Sequence, residues 1–581
     1  MKRRPGHVVL LVLLVAVGSA AAGGENVLVI LLDDIGVDPL AVYGEGSNYA
    51  VTPTMDQLAA EGILFRNLWS APSCTPTRAT LLTGRLGFRT GVLTVGPDML
   101  LPGDELTLPE VLKDATLNPG LGYADAAIGK WHLGDGPNGP NDHGFTHYAG
   151  RYAPGPSYFN WLRTVNGQSA PCFEGSAVCP DVSYITTVAV NDALDWIDDQ
   201  SGPWFLYLAL DAPHSPFHVP PHELVSPQTL AQLPQVAGST APPGTECMGP
   251  SRFICYRAMI EAADTEIGRL LDQLSEPTHV ILLGDNGTPR QTTEAPFNPD
   301  HAKGTVYEGG VNVPMIVRTA TGQSPNSEST ALVHTADLFA TVLELVGANG
   351  PTDRSLDSRS LVPLFADPSL AWNETVYSEH EDAQTMREER FKLIRRPAYD
   401  ELYDLEGDPP PVVGDAFETT DLLQGACSGS GSACHADGDC PTPQFCDVAP
   451  LDPETQEALD LLVFRIERLL SPAAGLVPPT LRIGAGPAGD LALSWDPSCH
   501  NGDFDYAIYE GTLGNFTSHV PLTCSTGGQT TADLTPESGH TYYLVVPLNE
   551  MFEGSYGIAA DGPRPPASTP CLSQLTASCD P

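Results

Sequence analysis

The chain has 581 residues, of which 28 are lysine or arginine and 72 are aspartate or glutamate, giving a net charge of −44. This length exceeds one ordinary domain of ~100–200 residues and predicts two to four. The strong negative charge argues against nucleic acid as a partner, because the phosphate backbone is itself an anion. An anionic substrate would likewise need a local cluster of cations to overcome the repulsive field of the whole chain.

The first residues have the layout of a signal peptide, which we place at residues 1–22. Lys2, Arg3 and Arg4 precede an apolar run at 8–17, and small residues follow it. This run is about half the length of the ~20 apolar residues that a membrane span requires. We therefore expect a cleaved signal, no transmembrane anchor, and a secreted or periplasmic protein.

Residues 24–350 alternate short apolar runs with helical patterns. This alternation predicts an α/β domain with a mostly parallel central sheet flanked by helices. The clearest predicted strands are 27–32, 204–210 and 280–283, and apolar residues at helical spacing between Tyr256 and Leu274 predict a helix before the third strand.

Each of these three strands runs directly into polar residues. They are the groups Asp33-Asp34, Asp211-Ala212-Pro213-His214 and Asp285-Asn286. Ligands bind beyond the carboxyl ends of strands in open α/β sheets, so we expect the three groups to converge on one site. Any one group alone is equally consistent with a simple turn, because Asp and Asn are common turn formers.

Two further regions follow the α/β domain. Residues 351–475 predict a smaller α+β lobe, with paired strands at 390–394 and 401–405, an irregular cysteine-rich insertion at 406–450, and a helix near 453–470. Residues 478–581 predict an all-β sandwich, with strands at 491–495, 506–510 and 542–546. This last region resembles a fibronectin type III module, although other immunoglobulin-like sandwiches have a similar pattern.

The thirteen cysteines of an exported chain predict disulfides. Four pairs are close in sequence: Cys172 with Cys179, Cys247 with Cys255, Cys499 with Cys524, and Cys571 with Cys579. A further cluster, Cys427, Cys434, Cys440 and Cys446, favours a stapled surface loop over a metal site. The cysteine left over is Cys74.

Cys74 begins the segment Cys74-Thr75-Pro76-Thr77-Arg78, which is followed by a helical pattern. The segment resembles the signature of the sulfatase family, in which a maturation enzyme oxidises the cysteine to formylglycine. Many members have Ser where Thr77 stands, which is a conservative difference. Further family blocks occur in the family's order: Asp33-Asp34, the segments 51–58 and 129–134, Ala212-Pro213-His214, 284–287, Lys303-Gly304 and 308–314. The resemblance covers roughly residues 26–405.

The resemblance assigns a role to each matched side chain. The metal ligands would be Asp33, Asp34, Cys74, Asp285 and Asn286, and the family's ion is Ca²⁺ in preference to Mg²⁺. The hard oxygen atoms of these side chains agree with that choice. By the same resemblance Arg78 holds the hydrated formylglycine, Lys130 and Lys303 grip sulfate oxygens, His132 orients the nucleophile, and His214 protonates the leaving alcohol or binds sulfate.

In the reaction that the resemblance implies, one hydroxyl of the hydrated formylglycine attacks sulfur with inversion while the alcohol leaves. The second hydroxyl then loses its proton and expels sulfate, which regenerates the aldehyde. The sequence thus predicts a sulfuric ester hydrolase acting on an aryl sulfate or a sulfated carbohydrate, small or polymeric. Two alternatives remain: a phosphonate monoester or phosphodiester hydrolase of the same superfamily, and a non-catalytic exported glycan-binding protein. The natural substrate and the oligomeric state cannot be read from the sequence.

Overall fold

A computed structural model describes residues 24–405 except 97–99, 135, 154, 156 and 353. Beyond these it describes 418–427, 433–435, 446–447, 450–470 and nine segments of the C-terminal region: 482–485, 491–495, 505–512, 520–534, 541–548, 552–553, 558–559, 562–563 and 570–574. The predicted signal peptide and most of the insertion at 406–450 lie outside the described residues. No helix within the described part of the chain is long and apolar enough to cross a membrane.

Ten strands form one large sheet. In chain order, its strands are β1 (Asn26–Leu32), β2 (Ile63–Trp69), β3 (Ala124–Lys130), β4 (His147–Arg151), β5 (Asn160–Val165), β6 (Gln168–Phe173), β7 (Trp204–Leu210), β10 (Thr278–Gly284), β11 (Asn312–Arg318) and β12 (Ser327–His334). Two further strands, β8 (Gln235–Val236) and β9 (Ser239–Thr240), form a separate short hairpin between β7 and β10 in the chain. The sheet order is β12-β2-β11-β10-β1-β7-β3-β4-β5-β6.

The centre of this sheet is parallel. Strands β10, β1, β7, β3 and β4 all run in one direction, whereas β11 is antiparallel to both its neighbours and β5–β6 is an antiparallel hairpin at one edge. The residues of β1 are buried on both faces, which explains its unbroken run of apolar residues. The predicted α/β class is confirmed, and β1, β7 and β10 contain the three strands that the sequence predicts.

Helices cover both faces of the sheet. The α-helices among the described residues are α1 (Pro53–Glu61), α2 (Cys74–Thr83), α3 (Gly87–Thr90), α4 (Leu108–Lys113), α5 (Gly139–Asp142), α6 (Ile185–Asp198), α7 (Pro227–Leu230), α8 (Ser251–Leu271), α9 (Glu308–Val311), α10 (Asp337–Leu345), α11 (Val362–Ala366) and α12 (Pro453–Leu470). Alternate residues of β1 bury against opposite layers: Leu28 and Ile30 join the core under α1, α6 and α8, while Val27 and Val29 join the core under α2, α4 and α10. The predicted helix before β10 is α8.

A four-stranded antiparallel sheet follows the large domain. Its strands are β13 (Val376–His380), β14 (Ala383–Arg387), β15 (Phe391–Arg395) and β16 (Asp400–Asp404). β15 pairs with β16, as predicted, and α12 packs on this sheet through Leu462 and Ile466 against Leu393 and Leu402. Three very short strands come between β16 and α12 along the chain, namely β17 (Gly425–Cys427), β18 (Ala433–Cys434) and β19 (Cys446–Asp447).

The C-terminal region is all-β in its described segments. Its strands are β20 (Arg482–Ala485), β21 (Leu491–Ser494), β22 (Asp505–Thr512), β23 (Val520–Thr523), β24 (Thr531–Leu534), β25 (Thr541–Leu548), β26 (Phe552–Glu553), β27 (Ile558–Ala559), β28 (Gly562–Pro563) and β29 (Ser573–Gln574). A three-stranded sheet, β20-β21-β24, and a five-stranded sheet, β23-β22-β25-β26-β29, contain the three predicted strands. The fibronectin type III assignment stays a prediction.

Two of the expected disulfides are present and two expectations are wrong. Cys172 is bonded to Cys179 and Cys247 to Cys255. In place of the expected pairs with Cys499 and Cys579, which lie outside the described residues, Cys524 is bonded to Cys571. The reason is tertiary: Cys524 follows β23, and the Cys571 N–H donates to the hydroxyl of Tyr509 on the adjacent β22. Among the described cysteines Cys74 is free, as predicted.

The carboxyl group of Asp337 at the start of α10 predicts a pH dependence of stability. Burial raises its pKa to about 7, although the N–H groups of His334 and Arg359 donate to it. An unfolded Asp titrates near ~4, so between about pH 4 and 7 the unfolded chain releases a proton that the folded chain keeps. The stability conferred by the neutral carboxyl is therefore complete below about pH 4 and is lost as the pH rises towards 7.

We accordingly expect the free energy of unfolding of Asp337→Asn to fall less than that of the wild type between pH 4 and 7. Urea unfolding followed by circular dichroism at several pH values measures this slope. Asp272→Asn, which changes an exposed carboxylate, is the matched control and should keep the wild-type slope. An unchanged slope in Asp337→Asn would contradict the assignment.

Candidate active site

Four neighbouring parallel strands, β10, β1, β7 and β3, end at the same edge of the large sheet and each supplies polar side chains there. Asp33 and Asp34 follow β1, and Asp285 and Asn286 follow β10. Lys130 is the last residue of β3, with His132 two residues on, and His214 lies in the loop after β7. The convergence that the sequence predicts is therefore present, for the reason given by the strand order.

Cys74 is the first residue of α2 and is buried at the centre of this group. Its Sγ lies 3.4 Å from Asp33 Oδ1, 3.8 Å from Asp34 Oδ1 and 3.5 Å from Lys303 Nζ. Burial, followed by the negative charge of Asp33, raises the pKa of the Cys74 thiol above its usual range. The unmodified thiol is therefore held in its neutral form and is a poor nucleophile.

One group of side chains is arranged to hold a metal ion. Ligand atoms of Asp33, Asp34, Cys74 and His214 all lie within 4.8 Å of one another. Beside them, Asn286 Oδ1 is buried and has no hydrogen-bond partner among the described residues. An orphaned carbonyl oxygen next to crowded carboxylates is what a hard cation would satisfy, so the donor set fits Ca²⁺ or Mg²⁺.

Asp34 is fixed from several directions. Its backbone has a φ of +69°, in the left-handed region that few residues other than glycine, Asn and Asp adopt. Its N–H donates to Asp285 Oδ1 at 2.9 Å, and its carbonyl oxygen accepts from the Tyr256 hydroxyl at 2.8 Å. Asn286 Nδ2 donates to Asp34 Oδ1 at 3.0 Å. These contacts join the ends of β1 and β10 into one rigid unit.

Three cations balance three carboxylates in the site. Arg78 is buried, with Nη2 donating to Asp285 Oδ2 at 2.8 Å and Nη1 donating to the Lys130 carbonyl at 2.8 Å. Lys130 is paired with Asp33, and Lys303 with Asp34. The formal charges of these six side chains therefore cancel.

The same charges set the pKa values of the acids. Burial acts to raise the pKa of Asp33, but Lys130, His214 and Arg78 together hold it well below its usual range. Burial, with the negative charge of Asp33 next in size, raises the pKa of Asp285 to about 6. Both carboxyl groups are therefore mainly ionised at neutral pH, in agreement with the three carboxylates that the three cations balance.

The two histidines differ in environment. Burial, followed by the positive charges of Lys130 and Arg78, lowers the pKa of His132 to about 2, so its imidazole is neutral. Its Nδ1 is buried without a hydrogen-bond partner among the described residues. His214 is partly exposed, with Nδ1 2.7 Å from the Ser215 carbonyl and Nε2 3.7 Å from Asp34 Oδ2. His214 is therefore the histidine more open to an incoming ligand.

The structure brings all ten predicted site residues to one place: Asp33, Asp34, Cys74, Arg78, Lys130, His132, His214, Asp285, Asn286 and Lys303. Sequence reasoning missed the groups that support them, including Tyr256 behind Asp34 and the buried pair of Arg151 with Asp211. In the sequence, Asp211 can be recognised as a polar residue that directly follows a predicted strand. Its arginine partner is 60 positions away, and only the sheet order places the two together.

Comparisons with known proteins agree with this geometry. A model of the Sulfatase family matches residues 25–348, and one described as N-sulphoglucosamine sulphohydrolase, C-terminal, matches residues 300–419. The N-acetylgalactosamine-6-sulfatase of Canis lupus familiaris is 33% identical over 403 residues, covering 62% of this chain and 70% of the relative. The arylsulfatase G of Mus musculus is 30% identical over 441 residues, covering 65% and 77%.

Solved structures share the fold. A protein in complex with its substrate D-glucosamine-2-N,6-O-disulfate superposes with a TM-score of 0.56 at 19% identity, over 77% of this chain and 98% of that one. A protein in complex with k-i-k-neocarrahexaose superposes with a TM-score of 0.54 at 24% identity, over 65% and 86%. The family match extends over more than half of the chain and contains all ten site residues. The protein therefore belongs to the sulfatase family and is a sulfuric ester hydrolase.

Proposed function

We propose that this protein is an exported carbohydrate sulfatase whose nucleophile is a formylglycine formed from Cys74 and whose metal is Ca²⁺. The observation that carries the proposal is the position of Cys74. It is the free cysteine among the described residues, and it begins α2. Its Sγ lies 3.4 Å from Asp33 Oδ1, 3.8 Å from Asp34 Oδ1 and 3.5 Å from Lys303 Nζ. A sulfate group at the same point would meet the helix N-terminus and two lysines, all of which favour an anion.

The properties of the unmodified Cys74 thiol support its conversion to formylglycine. The neutral thiol cannot act as an efficient nucleophile at physiological pH, and it is surrounded by groups suited to an oxygen nucleophile. Formylglycine, produced by a maturation enzyme and hydrated to a geminal diol, would supply a hydroxyl oxygen at this position as the attacking atom. Neutral His132, held beside Lys130, would orient that hydroxyl.

The cation would be held by Asp33, Asp34, Asp285 and Asn286, with the residue at position 74 as a further ligand. Bound Ca²⁺ would supply positive charge against the sulfate oxygens. The six charged side chains of the site cancel one another, so an ion of charge +2 makes the site electropositive within a chain of net charge −44. This local excess is what attracts an anionic ester.

The remaining side chains would bind the ester and transfer a proton to its leaving group. With the carboxylates of Asp33 and Asp34 turned to the cation, Lys130 and Lys303 are free to donate to sulfate oxygens. Arg78 keeps the negative charge of Asp285 balanced and holds the Lys130 backbone in place. Partly exposed His214 is placed to give a proton to the oxygen of the leaving alcohol.

A carbohydrate sulfate is favoured as substrate because the relatives at 33% identity are N-acetylgalactosamine-6-sulfatases. Export to a secreted or periplasmic location is supported by disulfides in both the large domain and the C-terminal region. The predicted organisation into a catalytic domain at 24–350, a lobe at 351–475 and a β-module at 478–581 forms part of this proposal.

The test compares a matched pair of esters, 4-nitrophenyl sulfate and a 4-nitrophenyl phosphonate monoester, and adds N-acetylgalactosamine 6-sulfate. The protein is produced together with a formylglycine-generating enzyme in calcium buffer. We expect kcat/KM for the sulfate to exceed that for the phosphonate by about 100-fold or more, with sulfate released from the sugar ester. A preference for the phosphonate would overturn the proposal in favour of the phosphonate hydrolase alternative.

A further inference from the structure

We propose that a pocket beside His132 and His214 binds the sugar ring of the alcohol half of the ester. This inference rests on the proposed function and adds to it the place where the carbohydrate is recognised. The cavity has a volume of about 360 Å³ and is lined chiefly by Arg151, Tyr152, Asn160, Trp161, Leu162 and Pro171. Its size falls within the ~300–1,000 Å³ of small-molecule sites.

The pocket adjoins the reaction centre through the backbone. The N–H of Trp131 donates to the Arg151 carbonyl at 3.2 Å, and that of His132 to the Tyr152 carbonyl at 3.3 Å. On the other side, the Tyr158 hydroxyl lies 2.7 Å from the carbonyl oxygen of His214. The segment that forms the pocket is thus attached directly to both active-site histidines, so a ring held there is adjacent to a sulfate held by Lys130.

The chemistry of the lining suits a sugar. The rings of Tyr152, Trp161 and Pro171 offer apolar surface to the C–H face of a pyranose, and the exposed amide of Asn160 can both donate and accept. An aryl group would use the apolar surface alone.

A buried ion pair joins the pocket to the loop that carries His214. Arg151 is only 6% exposed and is paired with Asp211, which is 2% exposed. Arg151 Nε and Asp211 Oδ2 are both buried without a hydrogen-bond partner among the described residues. Arg151, which lines the pocket, is thus held by Asp211, the first residue of the loop after β7 that carries His214.

The wall of the pocket is already rigid. Trp161 Nε1 donates to the Ser183 carbonyl at 2.9 Å, which ties the β5–β6 hairpin to the segment before α6. Trp161 is paired across the hairpin with Cys172, and Cys172 is bonded to Cys179. A preformed wall reduces the conformational entropy that is lost when a ligand binds, as expected of a recognition site.

The experiment fills the pocket without disturbing the core. Leu162 lines the pocket and is 44% exposed, so Leu162→Trp adds volume there. Leu370→Trp is the matched control, because Leu370 is 40% exposed and lies near β12, at the opposite edge of the sheet. For N-acetylgalactosamine 6-sulfate we expect Leu162→Trp to lower kcat/KM about tenfold or more, mainly through KM. For 4-nitrophenyl sulfate the change should stay within about threefold, and Leu370→Trp should match the wild type on both esters.

A second variant and a second readout separate the possible failures. Asn160→Ala, an exposed polar change, should also lower kcat/KM for the sugar ester selectively. Ligand-observed NMR with unsulfated N-acetylgalactosamine should show binding to the wild type and loss of it in Leu162→Trp, whether or not position 74 is converted. If the sugar binds wild type and Leu162→Trp equally, or the variant loses activity equally on both esters, the pocket assignment is wrong while the sulfatase function stands. If neither ester is hydrolysed but the sugar binds as described, the pocket is correct and the catalytic proposal fails.

Discussion

Cys74→Ala should lose activity on sulfate esters by about 10⁴-fold or more in kcat, because it removes the atom from which the proposed nucleophile is formed. The fold should be retained, since alanine is smaller than cysteine and Cys74 makes no disulfide in the described structure. Steady-state hydrolysis of 4-nitrophenyl sulfate measures the loss. Peptide mass spectrometry of the wild type should show position 74 lighter than the thiol by about 18 Da, as an aldehyde-reactive group.

Thr77→Ser is the matched control in the same segment. The Thr77 hydroxyl donates to the backbone within its own turn and to Ala71, which serine can also do. This variant should therefore be converted and should hydrolyse esters at close to the wild-type rate. A wild-type protein that stays an unmodified thiol in a host with a competent maturation enzyme, and yet turns over sulfate esters, would contradict the role assigned to Cys74.

Removing calcium should abolish activity and also lower the melting temperature. Asp33, Asp34 and Asp285 are buried side chains that only the folded chain brings together, so calcium would bind the folded state in preference to the unfolded one. A ligand at 100 times its Kd stabilises the folded state by about 3 kcal/mol, which corresponds to a shift of a few degrees in a domain of this size. Differential scanning calorimetry with EGTA, followed by added Ca²⁺ or Mg²⁺, measures both the loss and the choice of ion.

Asp34→Asn tests the ligand itself. Asparagine tolerates the left-handed backbone at position 34, so the change removes charge without straining the chain. Isothermal titration calorimetry should show calcium affinity reduced by about tenfold or more, because one carboxylate is lost from the ligand set. Asp382→Asn, on an exposed turn, should bind calcium like the wild type. Equal affinity in Asp34→Asn would place the ion elsewhere.

The site also shows how an acidic protein accommodates an anionic substrate. Its cations are each paired with a carboxylate before any ligand binds, so the site adds no repulsion and no attraction of its own. In the proposed function, the charge that favours sulfate would come with the metal, and the lysines would then bind the sulfate oxygens in place of Asp33 and Asp34. Calcium occupancy would therefore control substrate affinity as well as the chemical step.

The sequence by itself predicted central strands of the sheet, and its resemblance to the sulfatase family named the ten residues that the structure brings together. Unbroken apolar runs identified β1, β7 and β10, because parallel strands covered on both faces bury every side chain. The polar residues after those strands could be assigned to one site, since carboxyl ends of parallel strands meet at one edge. The unpaired Cys74 stood out by its motif. All of these signals are local, and local periodicity and spacing are what a single chain displays.

Only the tertiary structure decided the partners of these residues. It pairs Cys524 with Cys571 across 47 positions, Arg151 with Asp211, and Lys130 and Lys303 with carboxylates of β1. It also brings Tyr152, whose carbonyl accepts from the His132 N–H, together with Trp161 and Leu162 to line one pocket. No local pattern contains these contacts, because each depends on strand order and on loops whose closure is set by packing many residues away. The residues of the reaction centre could be predicted from the sequence, whereas the residues of the pocket could be identified only in the folded structure.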